Sequence, residues 1–380
     1  VAAVTGLDGV ARYDAFRPVR SLKVALKAMC PDLVVPCDER VVADLHALHA
    51  LEPAEGDLRR LIERSLGAPA RYATTLSRAA TLGLAAADHI AVPETRLLLS
   101  EADVLAWCRE QPLPSLLKTD GSWGGAGVTL VRGPEAALAA FRRMSKPLAT
   151  WRAAKFLLSN RDPFPAAEWW RRERSPVTAQ AFVEGSPANI MVACWEGRVL
   201  ASASAKVLDT AKQFGAATII RLADHTGMES AADRLVRRLG LSGFCGLDFV
   251  IDANDDAHLI ELNPRATQLG HLMLPGGSNL AEALFNRLRD APETAVIPPA
   301  IVPDTVALFP QAWLSESASS WLPSAYLDIP WDEPGLVAEL RRRPWEKRSP
   351  LARATDIVLR RPNPAHQLAG CLTAVPTACG

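Results

Sequence analysis

Two acidic residues set inside apolar runs are the first chemical signal in this chain. The stretch Gly246-Leu-Asp-Phe-Val-Ile-Asp-Ala-Asn-Asp-Asp-Ala-His-Leu-Ile-Glu-Leu-Asn-Pro-Arg265 reads as two short strands joined by a polar turn over Asp252 to Asp256. A turn centred on Asn254-Asp255 sets Asp248 opposite Glu261, and alternation puts Asn263 on the face of Glu261. Carboxylates facing each other across a hairpin repel, and a divalent cation between them relieves the repulsion. Oxygen donors of this kind suit Mg2+, which takes one or two carboxylates plus substrate phosphates, with Mn2+ as a substitute. Arg265 follows, close enough to meet an anion held there. The competing reading makes Asp248 an edge charge facing water, and a one-residue slip in register would turn one strand's side chains to the other face.

The second signal is Leu113-Pro-Ser-Leu-Leu-Lys-Thr-Asp-Gly-Ser-Trp-Gly-Gly-Ala-Gly-Val128, where a strand ends near Lys118 and a glycine-rich loop leads into another strand. Gly121, Gly124, Gly125 and Gly127 let the backbone bend and bring N–H groups against a phosphate. The lysine precedes the glycines and a strand follows them, so this is neither a Walker loop nor a dinucleotide fingerprint. A plain flexible loop is the alternative.

The elements that carry these residues follow in order. Residues 1–70 suggest a small α/β unit: a helix over Ser21 to Met29, a buried-strand pattern over Pro31–Arg40, and a helix from about Val41 to Ala50. Asp38 and Arg40 end that strand, as substrate contacts or as a helix cap and a surface charge. His46 and His49 read as a helix-surface pair rather than a metal site. Ser100 caps a helix, Pro134 opens another, and 145–176 reads as an irregular insertion carrying Trp151, Trp169 and Trp170. Val177–Gly185 reads as a strand, Asn189–Lys206 as a hairpin turning at Glu196-Gly197, and Ala217–Leu222 as a strand. Gly240 stops the helix that begins near Glu229, and a further helix spans Leu280 to Leu288. From Pro298 onward the chain reads as an appended tail.

The 380 residues are 49% hydrophobic and 22% charged, with Lys+Arg and Asp+Glu both at 42. That balance favours neither nucleic acid nor an anionic membrane, so any anion site is local. Seven scattered cysteines without a C-x-x-C pair point to a reducing cytoplasm and mostly buried thiols. No apolar run reaches membrane-spanning length, and no secretory signal is visible after Val1.

The order strand–glycine loop–strand, central antiparallel sheet, then Asp…Glu-x-Asn hairpin resembles the ATP-grasp superfamily over roughly residues 70–290. Gly246-Leu-Asp-Phe249 followed by Ile260-Glu-Leu-Asn-Pro-Arg265 is the most specific part. The resemblance implies an α+β ATP-grasp fold, two α+β lobes enclosing ATP behind a small α/β domain. The expected division is 1–70, 71–297 with a lid lobe about 113–183, and an extension over 298–380. It also implies roles. Lys118 is similar to the lysine that contacts ATP phosphate, and Gly121, Gly124, Gly125 and Gly127 to the loop closing over it. Gln180, Ala181, Phe182 and Val183 are similar to the linker that pairs with adenine. Asp248, Glu261 and Asn263 are similar to the Mg2+ ligands, and Arg265 to the arginine facing an acyl phosphate. Asn189 stands where a carboxylate commonly holds ribose, and Arg78 where relatives carry an Asp-Lys pair, as a second phosphate contact. Arg221 is a third cation or a surface charge. Gln268 and His271 are acceptor contacts, or His271 is an ordinary loop histidine. The implied activity is ATP- and Mg2+-dependent coupling of a carboxylate to an amine, both small molecules, in a possible homodimer. Other ATP-grasp phosphoryl chemistry and a nucleotide-binding module without turnover are the alternatives.

Overall fold

A computed structural model describes residues 4–121, 125, 127–146, 149–160, 162–171, 175–272, 280–290, 304–314 and 319–340. The N-terminal segment forms helices Pro18–Met29, Glu39–Leu51 and Asp57–Leu66. Val42, Leu45 and Leu48 of the second close against Ile62, Leu66 and Tyr72. Among the described residues this unit has no strand, against the expected α/β pattern. Pro31–Pro36 joins no ladder, because its backbone is engaged elsewhere. Val34 N donates to Ser65 Oγ at 3.0 Å, and Pro36 O accepts from Ala266 N at 2.9 Å.

A small antiparallel sheet follows, with strands β1 Thr95–Leu98, β2 Ser115–Thr119, β3 Val128–Val131 and β4 Val177–Ala181 in the order β1-β4-β2-β3. Helices Glu101–Glu110 and Pro134–Met144 pack on it through Val104, Trp107, Ala137, Ala140 and Phe141. Ser100 and Asp103 form a reciprocal capping box at the first of these helices. The insertion before β4 is not irregular. It holds helices Thr150–Lys155 and Phe164–Arg171 with a π-helical turn, Phe156–Asn160, between them. Their buried side chains are Ala153, Ala166 and Ala167, so no stripe of large apolar residues announces them.

The large sheet has strands β5 Ser186–Trp195, β6 Arg198–Thr210, β7 Ala217–Leu222, β8 Gly243–Ile251, β9 Ala257–Asn263, β10 Thr305–Leu308 and β11 Tyr326–Asp328. Their order is β11-β10-β7-β6-β5-β8-β9. Glu196 and Gly197, both at positive φ, make the two-residue turn between β5 and β6. Helices Arg78–Ala87 and Thr226–Leu239 cover one face through Leu82, Met228 and Leu235, against Ile190, Leu247 and Phe249. Helix Leu280–Leu288 and Leu269 and Leu272 cover the other, against Met191, Ala205 and Ile220. Part of the expected tail is built into this sheet: β10 pairs antiparallel with β7 and parallel with β11. Residues 341–380 lie outside the described set.

The hairpin β8–β9 pairs Asp248 with Glu261 and Gly246 with Asn263, as the sequence implies. Nearer the turn the register differs by one: Phe249 faces Leu259 and Ile251 faces Ala257, with an irregularity between Asp248 and Phe249. A bulge at Ile260 absorbs the extra residue and restores the acidic pair to one face.

Candidate functional site

Asp248 and Glu261 sit on the sheet face shared by Asn189 and Asn263. Asn263 Nδ2 donates to Asp248 Oδ2 at 3.1 Å, and Asn189 Nδ2 donates to Asp248 Oδ1. Burial and the charge of Glu261 push the Asp248 carboxyl up to about 6, although both asparagines hold it down. Burial acts the same way on Glu261, but Arg78, Lys118 and Arg265 together keep it below the ordinary carboxylate value. The two opposed acids therefore have different electrostatic settings: one is surrounded by amides, the other by cations.

Three segments deliver those cations. Lys118, at the end of β2, is 4% exposed, and burial lowers its ammonium to about 8 against the pull of Glu261. Arg78 opens its helix immediately after Ser77, whose side chain accepts from Ala80 N. Its Nη1 donates to Asp120 Oδ1 at 2.6 Å and its Nη2 to Glu261 Oε1. Its Nε is buried without a partner. Arg265 donates from Nη2 to Asn263 Oδ1 at 3.0 Å and from Nη1 to Ala266 O at 3.1 Å. Its Nε lies 3.6 Å from Glu39 Oε1. Glu39, Arg78, Asp120, Gly121 and Glu261 line one cleft.

The other candidates divide. Gln180 is 1% exposed and bridges the two sheets, donating from Nε2 to Thr95 Oγ1 at 3.1 Å and to Ile260 O at 3.3 Å. Ala181 N is taken by Glu94 O at 2.9 Å. Val183 and the exposed Phe182 connect the sheets. Gly121 and Gly125 have positive φ, and Gly127 O accepts from Thr119 N at 3.0 Å, closing the base of the loop. A Cβ on Gly125 would lie 2.1 Å from Phe214 O, so the glycine loop meets the turn between β6 and β7 through a bare backbone. Gly124 lies outside the described residues.

Arg221 is not brought to this cluster. Asp248, Asn189, Ala205 and Leu222 are successive ladder partners and share a face, so Arg221, beside Leu222, points to the opposite one. Its guanidinium sits 5.1 Å from the Trp321 ring and 3.8 Å from Asp304. His271 pairs with Asp328 of β11 at 2.7 Å. Asp38 caps its helix by accepting from Arg40 N, while Arg40 lies 4.3 Å over the Phe164 ring and 3.4 Å from Glu168. His46 and His49 are not a surface pair: His46 stacks on Tyr72 and His49 meets Glu63 at 2.7 Å. Of the thiols, Cys194 and Cys245 are buried, whereas Cys30 and Cys37 are exposed, against expectation.

Sequence reasoning passed over two carboxylates of the cleft. Glu39 sits between the two residues it did select, and Asp120 follows Lys118 by two positions. Both gain their meaning from partners far along the chain.

Among the described residues no group of three or more His, Cys, Asp or Glu is placed to hold a metal. The donor set here is two carboxylates and an amide, Asp248, Glu261 and Asn263. That fits a hard cation that takes its remaining oxygens from phosphate and water. Burial first and the charge of Glu261 second raise the Asp248 carboxyl, and such a cation would cancel the repulsion between the two acids.

Residues 152–268 match the family model of the ATP-grasp domain, a span that takes in β4 to β9 and ends just past Arg265. The fold is that of ATP-grasp proteins. It is similar to the biotin carboxylase domain of Hydrogenobacter thermophilus 2-oxoglutarate carboxylase, solved with MgADP, ADP and bicarbonate. That likeness has a TM-score of 0.57 and 11% identity, and covers 76% of this chain and 60% of that one. The carboxyaminoimidazole ribonucleotide synthase of Aspergillus clavatus, solved with ATP, has a TM-score of 0.54 at 15% identity, covering 76% of this chain and 68% of that one. Campylobacter jejuni biotin carboxylase has 0.51 at 13%, covering 74% and 58%. No curated protein matches the sequence. No helix among the described residues is long and apolar enough to cross a membrane.

Proposed function

We propose that this chain is an ATP- and Mg2+-dependent enzyme of the carboxylate–amine ligase type. The observation that carries the reading is the opposed, half-buried pair Asp248 and Glu261 with Lys118, Arg78 and Arg265 converging on it from three separate segments. Asp248, Glu261 and Asn263 would hold the cation, which supplies neutralisation of phosphate charge when bound.

In this reading a carboxylate oxygen of the substrate attacks the γ-phosphorus of ATP, the bond to the β-phosphate oxygen breaks, and ADP leaves. A free amine then adds to the carbonyl of the acyl phosphate, and phosphate departs with the electron pair of its C–O bond and takes up the proton that the nitrogen loses. Such chemistry needs alignment and charge stabilisation more than a dedicated base. Lys118 and Arg265 meet the charge on the transferring group, and Arg78 offers a second phosphate contact once released from Glu261. Gly121, Gly124, Gly125 and Gly127 close over the phosphates, Gln180 to Val183 meet the adenine, and Asn189 stands at the ribose. Arg221 lies on the other sheet face and is left out of this proposal.

The test is ADP release with ATP, Mg2+ and a panel of amino acids as carboxylate and amine. Release that requires both substrates supports the reading. Nucleotide binding without ADP across the panel would replace it with a binding module, the reading favoured by Arg78 occupying Glu261 and by Asn189 in place of a carboxylate.

A further inference from the structure

Glu39 has no part in the chemistry above, yet it faces the same cleft. Its side chain is 23% exposed, and among the described residues the one cation in contact is Arg265 at 3.6 Å, beyond hydrogen-bond distance. Arg265 spends both terminal nitrogens on Asn263 and Ala266. A largely buried carboxylate that meets no donor among the described residues is costly, and Glu261, which lines the same cleft, adds like-charge repulsion. Packing does not require it: the cap of this helix is Asp38, and its core residues are Val42, Leu45 and Leu48. Arg78, whose Nε is buried and unpartnered among the described residues, also lines this cleft.

The backbone that carries Glu39 is tied down on both sides. Asp38 accepts from Arg40 N at 2.8 Å. Arg40 is clamped by Phe164 and Glu168 of the insertion, and Arg171 of the same helix donates to Ala15 O at 3.1 Å. On the other side, Ala266 N donates to Pro36 O, fixing the Arg265 loop against the N-terminal segment. The helix start that carries this carboxylate is thereby fixed beside the arginine that would face the acyl phosphate, where a cationic ligand would meet it.

We propose that Glu39 is the residue that receives the ammonium of the incoming amine and holds it beside the carbonyl near Arg265, where the nitrogen sheds one proton to water and then attacks as the free amine. The acceptor is then a substrate that binds as a primary ammonium, and the N-terminal unit selects it. This inference rests on the carboxylate-activation reading. The experiment separates the two by comparing amino-acid amides, cationic near neutral pH, with hydroxylamine, which is neutral there and traps acyl phosphates as hydroxamates. Donors are the twenty amino acids with ATP and Mg2+. Glu39→Gln should lower kcat/KM for the amide acceptors about 10–100-fold, the scale of one lost charge-assisted hydrogen bond, with hydroxamate formation and the KM for ATP unchanged. Glu39→Asp, keeping the charge on a shorter arm, should recover part of the loss. Equal loss with both nucleophiles, or loss reversed by raising Mg2+, overturns the assignment while carboxylate activation stands. A wild-type protein that forms no hydroxamate from any donor overturns carboxylate activation itself, and the Glu39 assignment with it.

Discussion

Glu261→Gln isolates the charge on which the proposed chemistry depends, because the amide has nearly the shape of the carboxylate. In the folded protein Glu261 shares Arg78 with Asp120. Removing one partner of a buried ion pair costs about 3–5 kcal/mol when the other charge is left alone. Here Arg78 keeps Asp120 at 2.6 Å, and the glutamine oxygen still accepts a hydrogen bond. The substitution also removes the like charge that pushes up Asp248 and Glu39. The effects oppose, leaving a net loss of about 1–2 kcal/mol, or about 2–8 °C in Tm for a domain of this size. Turnover loses far more: deleting one stabiliser of transition-state charge costs about 10²–10³ in rate. ADP release coupled to NADH oxidation reads the second effect, and thermal unfolding of the same sample the first. A folded Glu261→Gln protein with unchanged ADP formation would refute the metal assignment.

Three further outcomes follow from the geometry. Gly125→Ala forces a Cβ to within 2.1 Å of Phe214 O at a φ of +70. The strain, about 1–2 kcal/mol, weakens ATP binding about 5–30-fold in a tryptophan-fluorescence titration; unchanged affinity means the loop does not close in this form. Arg221→Ala leaves the KM for ATP unchanged, because the side chain is on the opposite sheet face, and a raised KM would count against the register. The Asp328 hydrogen bond holds His271 above its usual value of 6.5. A raised histidine stabilises the fold fully below its unfolded value and loses that contribution as pH rises through the folded one. Tm should therefore fall over that window, and His271→Asn should flatten the fall.

How much of this could be read beforehand depends on how far apart the partners lie. The acidic hairpin, the Ser100 cap and the Gly240 stop are local, and spacing alone positions them. Glu39 and Asp120 were invisible as site residues because their neighbours arrive from elsewhere: Arg78 reaches Asp120 across 42 positions and Glu261 across 183. Arg221 shows a different limit. Alternation sets its face opposite to Ile220 and Leu222, but both faces of this sheet are covered by helices, so the strand alone does not say which one bears chemistry. The insertion helices escaped because alanines do their packing.

The bulge at Ile260 has a consequence for tracing distant kin. It lies between the hairpin tip and the acids, so the tip can lengthen or shorten by a residue while the kink takes up the difference. Chains sharing this arrangement should keep Gly-Leu-Asp and Glu-Leu-Asn-Pro-Arg as separate blocks, with a gap between them that drifts in length. A search that insists on a constant interval between those blocks would miss relatives whose acids still meet.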